Sequence, residues 1–294
     1  MRANSMCISC MLSKQEKLIR EFRDEDKKTG YMHEVLGILH QYGCTESAPR
    51  LAEKINQLYE TYWSTGEDYA SLKHQYNTLL REKEHNIIQR IKASTNCLLD
   101  CIKYASVGNY IDFSAVENVN KDTFTTLLER VNTEHISEKE FACFQRDLEQ
   151  AETLVYLTDN CGEIVLDKIL IQFIQELYPQ IKITVIVRGK SILNDATMED
   201  AKEIGLTKLV RCIGNGTGAP GTVFKDLSDD AKQALTDADV IISKGQGNFE
   251  SMVGEGFNPY YIFLCKCELF VRRFGLKQYE AVFIKEERLN MVTS

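Results

Sequence analysis

Through the first half of the chain, apolar residues recur at three-and-four spacing, as in QEKLIREFRDEDK (15–27), APRLAEKINQLYETYW (48–63) and YNTLLREKEHNIIQRIKASTNCLLDCIKYA (76–105). That period lines one side of an α-helix with apolar side chains and predicts a run of amphipathic helices. Gly30, Gly43, Gly66 and Gly108 fall between the periodic segments, where helix ends are expected. Past residue 150 the pattern changes to short β-rich runs: TLVYLT, KITVIV, KLVRCI, DVIIS, YIFLCK and AVFIK. Continuous apolar strands alternating with helical segments predict a mostly parallel, doubly wound α/β sheet of the Rossmann-like three-layer kind. The expected organisation is an all-helical domain over 1–148 followed by an α/β domain over 149–294.

Composition narrows the function more than the fold. A net charge of -8, with Lys and Arg interspersed among acids, argues against a nucleic-acid partner, which needs clustered cations. No apolar run is long enough to span a bilayer, and the N-terminal stretch is too short for a secretory signal. A cytoplasmic protein without a membrane partner is therefore expected. The ten cysteines are then read as reduced thiols. Cys7 and Cys10 form one CxxC, but a four-thiolate zinc site needs a second pair, and Cys265 and Cys267 supply it only if the fold joins the two ends of the chain. The five histidines all lie in the helical half, and GxSxG, HExxH, GxxxxGK[ST] and strand-linked GxGxxG motifs are absent.

In an open parallel sheet, ligands bind where loops leave the carboxyl ends of the strands. After TLVYLT come Asp159 and Asn160, and after KITVIV come Arg188 and then ILNDAT with Asn194 and Asp195. After KLVRCI comes GNGTGAPG, with Gly214, Asn215 and Gly216; after DVIIS comes KGQGNFE, with Lys244, Gly245, Gln246, Gly247 and Asn248. Asn160 followed three residues later by Glu163 approximates a helix-capping box, which leaves Asp159 to be solvated, paired or coordinated. A hard divalent cation would use both adjacent side chains as oxygen ligands. Thr197 with Asp200 makes the better cap of the helix near residue 197, so Asp195 is not needed there. Glycine-rich loops at strand ends let backbone N–H groups approach an anion, and Lys244 before a helix start suits the same purpose.

TDNCGEIVLDK, VRGKSILNDATMEDA, IGNGTGAPG and SKGQGNFE, in this order, resemble the metal-dependent damage-control phosphatases, a family once filed as a domain of unknown function. The likeness is to its stand-alone prokaryotic-type branch and takes in the CxxC and GNYIDF (108–113). The resemblance implies a metal held by Asp159, Asn160 and Asp195. It also implies that Lys244 and the GNG and GQGN loops contact the substrate phosphate, with Asn109 and Asp112 at the mouth of the cleft. Asp159, Asn160, Asp195 and Lys244 are thus the expected catalytic residues. Asn109, Asp112, Glu163, Arg188 and the loop residues 214–216 and 245–248 are the expected substrate contacts. Small phosphorylated metabolites are the implied substrates: phosphosugars, nucleotides or damaged phosphometabolites. Oxygen ligands favour Mg or Mn on hardness grounds, and the family adds Co and Ni. Either a water or Asp159 itself attacks the phosphorus. Two other readings stand beside this one: S-adenosylmethionine-dependent methylation of a protein carboxylate, and a non-catalytic metabolite-binding module. The pattern carries no signal for oligomeric state.

Overall fold

In a computed structural model the chain is described over residues 1–63, 69–110 and 129–289. The N-terminal half folds into helices α1 (Ser5–Ile19), α2 (Glu25–Tyr42), α3 (Ala48–Tyr62), α4 (Tyr69–Lys92), α5 (Cys97–Gly108) and α6 (Glu138–Gln150). Two of the periodic stretches are each broken once. Asp24 caps α2 through the Lys27 N–H, and Asn96 caps α5 through the Leu99 N–H, so 15–27 and 76–105 each span two helices. Gly43 caps the end of α2 and Gly108 closes α5, as expected, whereas Gly30 lies inside α2. Gly66 lies outside the described residues.

The second half alternates β1 (Thr153–Leu157), α7 (Glu163–Leu177), β2 (Lys182–Val187), α8 (Met198–Glu203), β3 (Arg211–Gly214), α9 (Asp229–Thr236), β4 (Val240–Lys244), α10 (Gln246–Met252), β5 (Tyr260–Leu264), α11 (Glu268–Phe274) and β6 (Ala281–Lys285). All six predicted strands form. They make one sheet of order β3-β2-β1-β4-β5-β6, parallel throughout except for β6, which runs antiparallel to β5. The chain winds outward from β1 to β3 and then crosses back to β4, so the order reverses between β1 and β4. A reversal of this kind opens a crevice at the carboxyl ends of those two strands.

Side chains alternate across the sheet and bury it on both faces. Leu154, Tyr156, Ile183, Val185, Val240 and Ile242 face one apolar layer, which also takes in residues of α4, α5, α6 and α7. Val155, Leu157, Ile186, Ile241, Tyr261 and Phe263 face the other, built on α9, α10 and α11. The first core runs unbroken through residue 148, from Tyr76 and Leu80 to Leu148 and on to Leu154. Helices α1 to α3 gather a separate cluster around Tyr31, Leu51 and Ile55. Among the described residues no helix is long and apolar enough to cross a membrane.

Candidate active site

Asp159 and Asn160 follow β1 directly, and the loop after β2 folds back to meet them. Arg188 N–H donates to the Ala196 carbonyl (2.9 Å), Ala196 N–H to the Asp159 carbonyl (2.8 Å) and Cys161 N–H to the Asn194 carbonyl (2.8 Å). Asn160 and Asp195 thereby form an isolated antiparallel bridge, which places the three residues of the expected metal set side by side. Thr197 and Asp200 form the capping box expected of α8. Lys73 of α4 pairs with Asp200 at 2.6 Å, and Asn77 of the same helix donates to Asp200 and accepts from the Gly162 N–H. One buried stretch of α4 thus fixes both loops.

The expectation that Asn160 caps α7 is not met. The residue before that helix is Gly162, in a positive-φ conformation, and no side chain caps it. Asn160 Nδ2 instead donates to Asp159 Oδ2 (2.8 Å) and Glu163 Oε2 (3.0 Å), and its Oδ1 accepts from Asn194 Nδ2 (2.8 Å). Asn109, at the end of α5, donates to Asp159 Oδ2 at 2.8 Å and to both Glu163 oxygens, while its own oxygen accepts from the Leu264 N–H. The approach of α5 is so close that a Cβ at Gly108 would lie 2.9 Å from Leu166 and 3.2 Å from Glu163. Asp112 lies outside the described residues.

From the other side Arg188 pairs with Asp195 (Nε to Oδ2, 2.5 Å) and stands 3.6 Å from Asp159 Oδ1. Its Nη1 donates to Asn248 Oδ1 at 3.0 Å, and Asn248 in turn binds the Thr158 and Lys244 carbonyls. Gly245 leaves β4 against Asp159 itself. At φ +82° a Cβ there would fall 2.1 Å from Asp159 Oδ2, so both conformation and space demand glycine.

The remaining expected residues hold loops together. Gln246 ties the exit of β4 to that of β5 by accepting from the Lys266 N–H at 2.6 Å. Gly247 lies against the Pro220 carbonyl, which links the two glycine-rich loops. Asn215 sits between Gly214 and Gly216, one strand farther out, and its Oδ1 accepts from the Gly189 and Thr217 N–H groups.

Lys244 is placed differently from the expectation of a phosphate contact. Its side chain is fully buried, and Nζ donates to Glu163 Oε1 (2.6 Å), Asp167 Oδ1 (2.5 Å) and the Ala105 carbonyl (2.9 Å). Three acceptors match the three N–H bonds of an ammonium. Tyr156 also donates to Asp167 Oδ1, at 2.7 Å. Asp167, Tyr156 and Asn77 were not singled out in the sequence. Asp167 carried a signal nonetheless, since it stands four residues after Glu163, on the same face of an otherwise apolar helix.

The electrostatics of the cluster are unbalanced. Asp159, Glu163, Asp167 and Asp195 are four buried carboxyl groups facing two buried cations, Lys244 and Arg188, two more acids than bases. Burial, with Glu163 and Asp195 alongside, pushes the Asp159 carboxyl up to about 8; Lys266, at the exit of β5, and Arg188 act against that rise. Burial likewise pushes Asp167 up to about 6, opposed by Lys244. Burial alone would lower the Lys244 ammonium, but Asp167 and Glu163 outweigh it and hold its pKa above the ordinary lysine value. Among the described residues, three buried side-chain polar atoms lack a hydrogen-bond partner: Arg188 Nη2, Asn215 Nδ2 and Asp167 Oδ2. Among the described residues no three His, Cys, Asp or Glu side chains are grouped to hold a metal ion. The set at β1 consists of two carboxylates and an amide. Cys7 and Cys267 do meet in one apolar cluster, where burial raises both thiols.

The damage-control phosphatase ARMT1-like domain matches residues 3–282. A damage-control phosphatase of Archaeoglobus fulgidus is 29% identical over 288 residues, covering 94% of this chain and 96% of its own. One of Pyrococcus horikoshii is 31% identical over 259 residues, 86% of either chain. A crystal structure of a family protein from P. horikoshii superposes with a TM-score of 0.83 at 25% identity, covering 97% of this chain and 99% of that one.

Proposed function

The chain belongs to the damage-control phosphatase ARMT1-like family, and from that premise we propose that its carboxyl-edge cluster hydrolyses phosphate monoesters of small metabolites with the help of a divalent cation. The observation that carries the reading is the excess of two buried acids over buried cations around Asp159 and Asp195, which cannot all ionise without a further counter-charge. Buried charge without a counter-charge is costly, and a dication among oxygen ligands would balance it. The donor set fits such an ion: two carboxylates and one amide oxygen, hard ligands that favour Mg or Mn. When bound there, the ion supplies charge neutralisation for the oxygens of the transferred phosphoryl group.

The chain's own residues do the rest. Arg188, locked by Asp195 and Asn248, keeps Nη2 without an acceptor. Asn215 Nδ2 is in the same condition. A buried donor lacking a partner is expensive unless a ligand oxygen fills the place, and phosphate oxygens are the fitting acceptors. Lys266 adds positive potential from the exit of β5, and the glycine-rich loops after β3 and β4 bring backbone N–H groups to the same edge. Phosphosugars and nucleotides offer the required monoester.

Purified protein incubated with a panel of phosphosugars and nucleoside monophosphates should release inorganic phosphate with Mn²⁺ or Mg²⁺ and lose that activity to EDTA. Chelator-resistant turnover, or methyl transfer from S-adenosylmethionine without metal, would overturn the reading.

A further inference from the structure

We infer that Lys244 is a positioning residue: acting through Glu163, it fixes the amide of Asn160 with its NH₂ against Asp159 and Glu163 and its oxygen on the Asn194 side, and it does not touch the substrate phosphate. The inference rests on the metal reading above. Every N–H of the Lys244 ammonium is already spent on Glu163, Asp167 and the Ala105 carbonyl, and the side chain is fully buried. A phosphate oxygen could bind it only by displacing one of three charge-assisted or backbone bonds.

The effect passes outward through a chain of hydrogen bonds. Lys244 holds Glu163 Oε1, which leaves Oε2 to accept from Asn160 Nδ2 at 3.0 Å. Asn109 spans the other flank by donating to both Glu163 oxygens and to Asp159. Asn160 thus presents its NH₂ to two carboxylates, Asp159 and Glu163. The flipped amide would set its oxygen against both, so only one orientation is allowed. In that orientation Oδ1 points away from Glu163, where Asn194 donates to it. Asp167 is the second tether: with Tyr156 on the same oxygen, it keeps the ammonium from following Glu163 if that carboxylate moves.

The test must separate geometry from charge. Removing Lys244 alone makes the cluster more negative, which would strengthen attraction for a cation and hide a loss of positioning. The double variant Lys244→Met/Asp167→Asn removes one charge of each sign and keeps the balance constant. Titration calorimetry of the metal-free protein with MnCl₂ should show about a ten- to hundredfold weaker affinity than the parent, the range for groups that orient a metal ligand. Inhibition by inorganic phosphate at saturating Mn²⁺ should stay at the parental level. Parental Mn²⁺ affinity in the folded double variant, with phosphate inhibition lost, would overturn the inference and return Lys244 to the phosphate. If the double variant does not fold, Glu163→Asp takes its place, since it withdraws the carboxylate from Asn160 and keeps the charge. It should weaken Mn²⁺ binding in the same direction, and unchanged binding would overturn the inference. A parent that binds neither Mn²⁺ nor Mg²⁺ sinks the metal reading itself, an outcome distinct from equal binding by parent and variants.

Discussion

The two ends of the sheet carry similar numbers of charges and treat them in opposite ways. At the amino end, a groove of about 600 Å³ lies among the starts of β1, β2 and β3 and α9, and its rim carries Lys182, Arg211, Asp230 and Asp237. All four are exposed, and none is bound into a buried network. At the carboxyl end Asp159, Glu163, Asp167, Asp195, Arg188 and Lys244 are withdrawn from water and joined by hydrogen bonds of 2.5 to 3.0 Å. Water screens the first set and makes it nearly interchangeable. The second set has no such cushion, so each group is held by its neighbours and an imbalance calls for a ligand. Burial with incomplete compensation, more than the count of charges or the size of the opening, distinguishes the functional end.

The largest test of that contrast is to remove an acid from the carboxyl end. Asp159→Asn and Asp195→Ala should each lower kcat/KM for a phosphate ester by roughly a hundred- to a thousandfold. Asp195→Ala strands the buried Arg188 and should melt lower than the parent, while Asp159→Asn removes a carboxyl whose ionisation burial disfavours, so that metal-free variant should melt higher, by about 2 °C. Lys244→Met has the opposite sign for stability. Stripping the cation from a buried set should cost about 3–5 kcal/mol in urea unfolding. Gly245→Ala comes next, since its Cβ would enter the Asp159 carboxylate at a positive φ. A loss of about 1–3 kcal/mol, seen as an earlier urea midpoint, is expected.

Smaller still is the cap at the amino end, where Asp239 accepts from the Glu152 and Thr153 N–H groups and the Thr153 hydroxyl. Those bonds lower its carboxyl below the ordinary value, so its contribution is full above the unfolded carboxylate range and fades as pH falls through the folded pKa. The melting-temperature gap between parent and Asp239→Asn should therefore be widest near neutrality and close in acid. Arg211→Ala, on the groove rim, should change neither turnover nor stability beyond about 0.5 kcal/mol. A large effect there would erase the distinction between the two ends.

The sheet was legible because its strands are buried on both faces and stand out as unbroken apolar runs. The capping box at Thr197 was legible for a local reason, as hydroxyl and carboxylate three residues apart serve the same helix start. Polarity of the last strand was not, since β6 lies antiparallel through pairing with β5 and nothing in AVFIK encodes direction. Helix breaks at Asp24 and Asn96 escaped notice because the apolar period continues across them. The candidate site was read in its parts, while its wiring was hidden. Asn160 looked like a cap because Asn and Glu at that spacing usually are one; here the Asn194 NH₂, not a helix N–H, takes its oxygen, while Asp159 and Glu163 take its NH₂. Lys244 looked like an anion contact because glycines follow it, and only the packing of α7 beneath β4 reveals which acids claim it.

The unbroken core through residue 148 bears on how relatives of this chain can be recombined. Residues 69–110 and 129–150 supply one covering layer of the sheet and deliver Asn109 to Asp159, so a cut at 148 would leave a torso with an oily flank and a crippled crevice. Helices α1 to α3 keep an interior of their own and touch the glycine-rich loops through Pro49 and Glu53. A chimera that borrows only residues 1–63 from another family member leaves the buried cluster at Asp159 whole, and has to match these loop contacts and the seat of Met1, Met6 and Cys7 on the second core.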